Sequence, residues 1–417
     1  MNYYSLNNNA PKSSFKDAVI KGLAPDKGLY FPEQISALPK NFFENIESYT
    51  NNEIAFELIK QFVGNEIPED DLKAIIADVL QFNFPIIEVE KDVYSLELFH
   101  GPTMAFKDVG ARFMARCLGY FNKDNTNEVT VLVATSGDTG GAVANGFLGV
   151  KGVNVVILYP SGKVSDVQEK QLTTLGQNIK ALEVNGTFDD CQAMVKRAFL
   201  DETLTSKMQL TSANSINVAR WLPQLFYFMF AYKQLHTTYN NIVFSVPSGN
   251  FGNVCAGMMA QQLGLPIQHF IAANNANNVV TQYLQTKDYA PKPSVQTISN
   301  AMDVGDPSNF IRIQEIYNNN FETLQNNLSS YSFTDTETKT ALKDIYDAYN
   351  YVADPHGAVG YLGCKMYLKQ NPDVHCVFLE TAHPTKFLDV VEATINEKQA
   401  LPPQIQAVMH KTKEAIP

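Results

Sequence analysis

The sequence has few of the features that mark several large protein classes. Its 417 residues include five cysteines, an odd number without any C-x-x-C pair, so neither a zinc site nor a disulfide framework is indicated. Acidic residues outnumber basic ones by 43 to 32, and the net charge of −11 argues against a general binder of nucleic acid or anionic membranes. The longest conspicuous apolar run, residues 225–232, is too short to cross a bilayer. We therefore expect no metal, nucleic-acid partner or membrane partner.

The N-terminus lacks a basic stretch followed by an apolar one, so it does not resemble a secretory signal. Cysteines that form no recognisable pattern are most simply buried, reduced thiols. Hydrophobic residues make up 45% of the chain and charged residues 18%, which is typical of a folded globular protein. These features together predict a cytoplasmic protein.

Several glycine-dependent motifs are also missing. No two glycines are separated by a single residue, so the dinucleotide-binding fingerprint is absent. The chain contains no P-loop, no G-x-S-x-G and no H-E-x-x-H. The sequence therefore does not support membership of four enzyme classes: nicotinamide enzymes, P-loop NTPases, α/β-hydrolases and zincins.

From about residue 85 onward, β-branched runs alternate with helix-length segments, a pattern typical of an α/β protein with parallel sheets. The predicted strands are 128–134, 153–159, 179–184, 241–246, 268–272 and 374–380, and the clearest predicted helices are 163–175, 188–200, 218–235 and 251–263. Residues 1 to about 85 predict a helical subdomain with helices near 15–21, 52–63 and 70–81. Residues 281–340 are rich in Asn, Ser, Thr and Gln and predict loops and short helices.

Three polar, glycine-containing or asparagine-rich turns open predicted helices: residues 134–141 (ATSGDTGG), 211–217 (TSANSIN) and 246–253 (VPSGNFGN). In a parallel sheet, helix N-termini and free backbone N–H groups gather at the carboxyl ends of the strands, where anions bind. One such turn alone is more often a helix cap. Three of them in one chain favour an anion-binding site.

A fourth segment, residues 100–110 (HGPTMAFKDVG), places Lys107 between an aromatic and an acidic residue. A lysine by itself is ordinarily a solvated helix residue. Read together, H-G-P-T-M-A-F-K-D, T-S-G-D-T-G and S-G-N-F-G-N resemble the pyridoxal-phosphate enzymes of fold type II, the tryptophan synthase β-like family, and within it the longer class of threonine synthases. The segments 22–32 (GLAPDKGLYFP) and 381–387 (TAHPTKF) extend this resemblance from about residue 15 to 390.

The resemblance implies an α/β fold of two parallel-sheet domains covered by helices, preceded by the N-terminal helical subdomain. It divides the chain into an N-terminal subdomain (1–90), a small α/β domain (125–212) and a large cofactor-binding α/β domain formed by 91–124 and 213–417. The larger domain is discontinuous because the smaller one is inserted into it.

The resemblance also implies residues that bind pyridoxal 5'-phosphate. Lys107 would form the Schiff base with the cofactor aldehyde and then act as a base, since a shielded amine can do both. Backbone N–H groups would hold the cofactor phosphate without a positive side chain, in the turn of Gly249, Asn250, Phe251, Gly252 and Asn253. Thr381 would hydrogen-bond the pyridine nitrogen; the alternative is a cap at a strand end.

The residues implied for substrate are Thr135, Ser136, Asp138, Thr139, Asn214, Ser215 and Arg220. The first four would face the substrate carboxylate and the cofactor 3′-oxygen, and the last three the substrate phosphate. Asp138 stands where most of the fold type has asparagine, so it must be protonated, paired or turned away from these anions. The alternative for Arg220 is an ion pair with a surface carboxylate.

The implied reaction is conversion of O-phospho-L-homoserine and water to L-threonine and phosphate, by γ-elimination and β-addition of water. The alternatives are another fold type II lyase, either a threonine dehydratase or a phospho-amino-acid phospholyase, and a non-catalytic protein that binds a phosphorylated ligand. His100 and His383 are either acid–base or packing residues, and Lys386 is a weaker candidate for a ligand contact. A monomer or homodimer is expected.

Overall fold

A computed structural model describes residues 1–123 and 128–417. The predicted start of the small domain, residue 125, lies outside the described residues. Where 1–123 and 128–417 are concerned, no helix is both long and apolar enough to cross a membrane.

The N-terminal segment contains helices and a small sheet. Its elements are β1 (Asn2–Ser5), β2 (Ser13–Ser14), α1 (Phe15–Lys21), β3 (Tyr30–Pro32), α2 (Lys40–Glu44), α3 (Asn51–Val63) and α4 (Glu69–Val79). Strand β1 pairs antiparallel with both β2 and β3. The predicted helices are present, but the prediction omitted this three-stranded sheet, because strands of two to four residues are too short for a period-two pattern.

The middle of the chain alternates strands and helices. Its elements are β4 (Ile86–Glu90), β5 (Val93–Glu97), α5 (Lys107–Asn122), β6 (Val129–Ala134), α6 (Asp138–Phe147), β7 (Val153–Pro160), α7 (Asp166–Thr173), β8 (Ile179–Val184), α8 (Phe188–Leu200), α9 (Glu202–Thr205) and β9 (Gln209–Ser212). Strands β8, β7, β6 and β9, in that order, form a fully parallel sheet.

The C-terminal half completes a second sheet. Its elements are α10 (Val218–Trp221), α11 (Leu225–Leu235), β10 (Ile242–Pro247), α12 (Gly252–Gln262), β11 (His269–Asn274), α13 (Val279–Thr286), α14 (Phe310–Ile316), α15 (Phe321–Asn327), β12 (Leu328–Ser332), α16 (Asp335–Tyr349), α17 (Pro355–Leu368), β13 (His375–Glu380), α18 (Leu388–Ile395) and α19 (Pro403–Met409). Short 3₁₀ turns lie at 46–48, 64–66, 222–224, 300–302 and 384–387. The second sheet has the order β12-β11-β10-β13-β5-β4 and is parallel except for its edge strand β4.

The predicted α/β architecture is confirmed, with three local differences. Strands β4, β5 and β9 were not among the predicted ones, and the edge strand β12 lies where loops and short helices were expected. The predicted helix 218–235 is divided by the 3₁₀ turn at 222–224, because Pro223 lacks the N–H that a continuous helix needs. Central strands such as β10 are buried on both faces, as their uninterrupted apolar sequence predicted.

The topology brings the polar turns together. Because β6 and β9 run parallel in one sheet and β10 and β13 run parallel in the other, the residues that follow these strands leave each sheet at the same end. Helices α6, α10 and α12 begin directly after three of these strands. The fold therefore places helix N-termini at one end of each sheet, where α/β proteins bind ligands.

Candidate active site

Lys107 is the first residue of α5, and backbone pairing fixes the segment that precedes it. Phe106 N–H donates to the carbonyl of Thr381 at 2.9 Å, and His383 N–H donates to the carbonyl of Met104 at 3.0 Å. Met104 adopts a left-handed φ of 57°, which reverses the chain just before the helix. Lys107 is thereby held beside Thr381, which follows β13.

The amine of Lys107 has few partners. Its Nζ lies 4.7 Å from the centre of the Phe106 ring, and residues 1–123 and 128–417 offer it no hydrogen bond or ion pair. Burial lowers the pKa of Lys107; Asp138 opposes this, while Lys386 and Arg220 lower the pKa further. A nucleophilic amine needs such a setting, because only the uncharged form has a free electron pair.

The turn from Gly249 to Asn253 forms a cradle of backbone N–H groups between β10 and α12. Across the described chain these five N–H groups have no acceptor. Phe251 has φ +61°, a conformation that non-glycine residues rarely adopt. A Cβ at Gly249 would lie 2.6 Å from the Cα of Met302, so only glycine fits there. The cradle suits an anion that binds without a charged side chain.

The side chains of this turn are used to build it. Asn253 donates to the carbonyl of Pro247 at 2.8 Å. Asn250 accepts from Ser308 N–H at 2.6 Å and donates to the hydroxyl of Ser215 at 2.9 Å. The amide side chains therefore hold the backbone in place, and it is the backbone that faces the site.

Thr381 lies at the end of β13 and is 6% exposed. Its carbonyl accepts from Phe106, which pins its backbone, whereas its hydroxyl has no hydrogen bond with any part of the chain that the structure describes. An anchored residue with a free hydroxyl can serve a ligand nitrogen as donor or acceptor.

The turn after β6 is organised around Thr135. Its fully buried hydroxyl accepts from Gly137 N–H at 3.0 Å and from Gly140 N–H at 2.8 Å. Ser136 and Thr139 are partly buried at the start of α6. Thr135 thus shapes the turn, while Ser136 and Thr139 are the hydroxyls with access to a ligand.

Asp138 is paired, which was one of the three states that the sequence left open. Its Oδ1 lies 2.8 Å from the ammonium of Lys386 and accepts from Gln168 Nε2 at 3.0 Å. Burial alone would raise the pKa of Asp138, but Lys386 and Lys107 outweigh that effect and hold the pKa well below its usual range. The carboxylate is therefore ionised and its charge is compensated.

The turn after β9 contacts the Gly249–Asn253 cradle. Asn217 caps α10 by accepting from Ala219 N–H at 3.0 Å. The hydroxyl of Ser215 accepts from Asn250 at 2.9 Å and from Asn309 at 3.1 Å. Asn214 is half-buried at the same turn. The second and third predicted turns are therefore adjacent in space.

Arg220 is 4% exposed and forms no ion pair with a carboxylate among residues 1–123 and 128–417. Its Nη1 donates to the carbonyl of Ala213, and its Nε has no partner within those residues. Burial lowers the pKa of Arg220 to about 10, so the group remains charged at neutral pH. The alternative of a surface ion pair is wrong. With a single hydrogen-bond acceptor in the described chain, this buried guanidinium is suited to bind an anionic ligand.

No motif in the sequence indicated Arg312, which lies on α14 and is fully buried. It donates to the carbonyls of Ser215, Ile216 and Tyr30 at 3.2, 2.7 and 3.0 Å. Its guanidinium also lies 4.4 Å from the centre of the Trp221 ring. Arg312 therefore fixes the turn after β9 and ties it to the N-terminal segment, a role that only long-range contacts reveal.

A buried acid–histidine cluster behind Thr381 was also missed. Asp354 accepts from His356 Nδ1 at 2.5 Å and from Ala382 N–H at 3.3 Å, and its own N–H donates to Glu380 at 2.6 Å. Burial, reinforced by Asp354, raises the pKa of Glu380, so that acid is held protonated. Asp354 before Pro355 indicates a helix start, but nothing in the sequence places it against β13.

The two histidines of the recognised motifs have structural contacts. His100 is paired with Glu97 at 2.8 Å and its side chain is 38% exposed. His383 Nδ1 accepts from Thr385 N–H at 3.2 Å and caps the 3₁₀ turn that carries Lys386. Burial lowers the pKa of His383 to about 4, so it is neutral at pH 7. Neither side chain contacts Lys107.

Comparison with known proteins gives matches along the whole chain. Three families match it: Threonine synthase N terminus over residues 2–80, Pyridoxal-phosphate dependent enzyme over 83–381, and Threonine synthase, C-terminal, over 357–416. The chain belongs to the threonine synthase family of pyridoxal-phosphate-dependent enzymes.

Individual relatives agree with this assignment. A threonine synthase of Buchnera aphidicola subsp. Acyrthosiphon pisum is 42% identical over 97% of this chain and 94% of its own length. The crystal structure of threonine synthase from Escherichia coli superposes with a TM-score of 0.94 at 41% identity, covering 100% of this chain and 96% of that one. A pyridoxal-phosphate-bound threonine synthase from Brucella melitensis gives 0.93 at 32% identity, covering 100% and 96%.

The predicted family, fold type, enzyme class and cofactor are thus confirmed. The residues fit the cofactor on structural grounds as well. An unpaired amine at Lys107, a free hydroxyl at Thr381 and the uncharged N–H cradle at Gly249–Asn253 match an aldehyde, a ring nitrogen and a phosphate. The individual roles of these residues, and the domain boundaries, stay predictions.

Proposed function

We propose that the protein converts O-phospho-L-homoserine and water into L-threonine and phosphate, with Lys107 as the residue that carries the cofactor. Arg220 is the observation that carries the choice of substrate: a charged, buried guanidinium without a carboxylate partner in the described chain calls for a ligand anion. Arg220 is also one of the charged groups that lower the pKa of Lys107. A phosphorylated amino acid supplies that anion.

Each end of this substrate has a suitable partner. The N–H groups of Ser136, Asp138 and Thr139 at the start of α6 have no acceptor within the described residues and suit the substrate carboxylate. Asn214, Ser215 and Arg220 suit the phosphate. Asp138 does not repel the carboxylate, because Lys386 compensates its charge.

Pyridoxal phosphate, when bound, supplies an electron sink that makes protons near the substrate amine removable. With the cofactor bound, the Lys107 amine would take the proton from the α-carbon and would then help to move one from the β-carbon to the γ-carbon. The phosphate leaves the γ-carbon with the bonding electron pair, and Arg220 stabilises that departing charge. Water then supplies the hydroxyl at the β-carbon, and protons return to the carbon chain.

Borohydride reduction followed by peptide mapping tests the assignment of Lys107. The cofactor is expected on the peptide that contains Lys107, and Lys107→Ala should lower threonine formation at least about 1,000-fold because the amine has no substitute. Lys163→Ala, at an exposed lysine, is the matched control and should retain the parental rate. Label on another lysine, or parental activity in Lys107→Ala, would overturn the proposal.

Product analysis separates the remaining alternatives. Incubation with O-phospho-L-homoserine should yield threonine and phosphate in equal amounts. 2-Oxobutyrate with ammonia would instead indicate a dehydratase or phospholyase. Residence in the cytoplasm and a monomeric or homodimeric state stay predictions of the sequence.

A further inference from the structure

Lys386 is a second lysine near Lys107, and its surroundings are unusual. It is completely buried on the 3₁₀ turn Pro384–Phe387. Its Nζ lies 2.8 Å from Asp138 Oδ1 and donates to the carbonyl of Thr103 at 2.8 Å. An ammonium so enclosed cannot swing into solvent to escape its neighbours.

Asp138 is held from a second direction. Gln168 on α7 donates to the same oxygen, Oδ1, at 3.0 Å, and the rest of the Gln168 amide serves the cap of α7. The carboxylate therefore keeps one orientation, with Oδ1 occupied by Lys386 and Gln168. This orientation depends on α6, on α7 and on the C-terminal turn together.

The charged groups that act on Lys107 come from four elements. Asp138 lies on α6, Lys386 on the C-terminal 3₁₀ turn, Arg220 on α10, and Asp354 before α17. Asp108 follows Lys107 in α5, and its carboxylate accepts hydrogen bonds from the N–H and the hydroxyl of Thr103. Among these groups, Asp138 and Lys386 are in direct contact, so a change in one alters the charge that the other presents to Lys107.

We propose that Lys386 is a positioning residue: by serving as the counterion of Asp138, it keeps that carboxylate from holding a proton on Lys107, so that the Lys107 amine is free to react. This inference rests on the proposed role of Lys107. Asp138 by itself would stabilise the charged amine, and Lys386 opposes that effect both by compensating the carboxylate and by repelling the charged amine.

The electrostatics of the site agree with this assignment. Burial is the largest factor that lowers the pKa of Lys107, Asp138 raises the pKa, and Lys386 lowers it. The two partners therefore act in opposite directions, and substitutions at the two positions must produce opposite changes. Opposite changes in the pKa of Lys107 would indicate an electrostatic role for the pair, because a merely structural role predicts no such opposition.

The test measures the protonation of Lys107 directly, in the full-length chain freed of cofactor. Acetic anhydride labelling across a pH series, read by mass spectrometry, gives the midpoint at which Lys107 loses its proton. Lys386→Met should raise that midpoint by about one pH unit or more, a roughly tenfold change in proton affinity, and Asp138→Asn should lower it. Lys386→Arg should leave it near the parental value, because the charge is retained.

The double variant Asp138→Asn/Lys386→Met serves as an internal check, and it can still be measured if a single variant fails to fold. It leaves neither member of the Asp138–Lys386 pair as an unpaired buried charge, and its midpoint should lie between those of the single variants. Lys163→Ala should match the parent. An unchanged or lowered midpoint in Lys386→Met, or shifts of the same sign in both single variants, would overturn the proposal.

Failure of the proposed function gives a different result. If Lys107 does not carry the cofactor, borohydride marks another residue while the labelling midpoints still shift with Lys386 and Asp138. If Lys386 has no positioning role, borohydride marks Lys107 and the midpoints do not move in opposite directions.

Discussion

The two ends of the site bind charge in different ways. At the Gly249–Asn253 end, uncharged backbone N–H groups face the site and side chains only support the turn. At the Lys107 end, buried side chains carry the charge, and Asp138, Lys386 and Arg220 all lie within the interior. The cradle thus depends on backbone shape, whereas the charged end depends on a balance of ionised groups.

The difference has a consequence for an acid-rich protein. A chain with a net charge of −11 offers no long-range attraction for phosphate, and solvent screens exposed charges beyond about 10 Å. The cradle avoids the problem with dipoles that need no counterion. The charged end contains Arg220, a buried cation without an ion pair in the described chain, and this guanidinium is suited to a bound anion. The comparison makes four predictions, given from the largest expected effect to the smallest.

Arg220→Met should lower kcat/KM for the phosphorylated substrate by about 1,000-fold, or about 4 kcal/mol, because a buried charged contact to the leaving phosphate is lost. Cofactor affinity should stay within about threefold of the parent, since the cradle is formed by other residues. Steady-state kinetics and fluorescence titration with cofactor measure the two effects. An equal loss of kcat/KM and of cofactor affinity would mean that the cradle and the charged end of the site do not act independently.

His383→Asn should make stability less sensitive to acid. The folded pKa of His383, about 4, lies below its ordinary value of 6.5, so the unfolded chain binds more protons between these values. Stability therefore falls as the pH drops through this window, by up to about 3 kcal/mol from this group, and this group causes no further change below the window. Asparagine can still accept from Thr385 N–H but cannot be protonated.

Urea unfolding at pH 4.5 and pH 7 measures this difference for the parent and for His383→Asn. His269→Asn is a second test of the same effect, because burial also lowers the pKa of His269 to about 4. His269 lies on β11, and its ring is hydrogen-bonded to Asn326 and Ser329. Both variants should reduce the pH dependence of stability. A pH dependence in His383→Asn that equals the parental one would contradict the buried, neutral state of this ring.

Gly249→Ala should weaken cofactor binding by about 10- to 100-fold, or about 1.4 to 2.8 kcal/mol. The added Cβ would lie 2.6 Å from Met302 Cα, so the turn must move, and its N–H groups move with it. Equilibrium dialysis with pyridoxal phosphate measures the loss. With saturating cofactor, the KM for substrate should change little; a large rise in KM would show that the cradle also orders the substrate turn.

Asn253→Ala should have the smallest effect, a loss of about 1 kcal/mol in the free energy of unfolding with less than a tenfold change in cofactor affinity. The side chain donates to the carbonyl of Pro247 and accepts from Val254 N–H, so its removal loosens the turn without deleting a group that faces the site. Chemical denaturation measures the first quantity. A loss of cofactor affinity larger than that of Gly249→Ala would indicate that the side chain itself binds the ligand.

Much of the fold was predictable because its signals are local. Strands such as β8 and helices such as α8 have the predicted bounds, since apolar period and capping residues lie within the segments themselves. The site residues were predicted from short motifs. The three-stranded N-terminal sheet and the edge strand β12 were not, because pairing with a distant strand stabilises them and their own sequences are weak.

The sequence indicated candidate residues for the site one by one, but not the contacts between them. The sequence posed the question of how Asp138 could sit among anions, and it listed Lys386 only as a weak candidate. Their ion pair joins residues 248 positions apart, and Gln168 completes it from a third element. Arg312 and Asp354 were missed for the same reason, since their partners lie far away along the chain.

The sequence by itself determined the alternation of strands and helices, the glycine-containing turns and the presence of Lys107 at a helix start, because these depend on neighbouring residues. Only the tertiary structure decided which charges are paired: Asp138 pairs with Lys386, and Arg220 has no ion pair within the described chain. Charge balance in a buried site depends on distance and on exclusion of water. Distance and exclusion of water are both set by how the helices and strands pack, and they cannot be read from a net charge of −11.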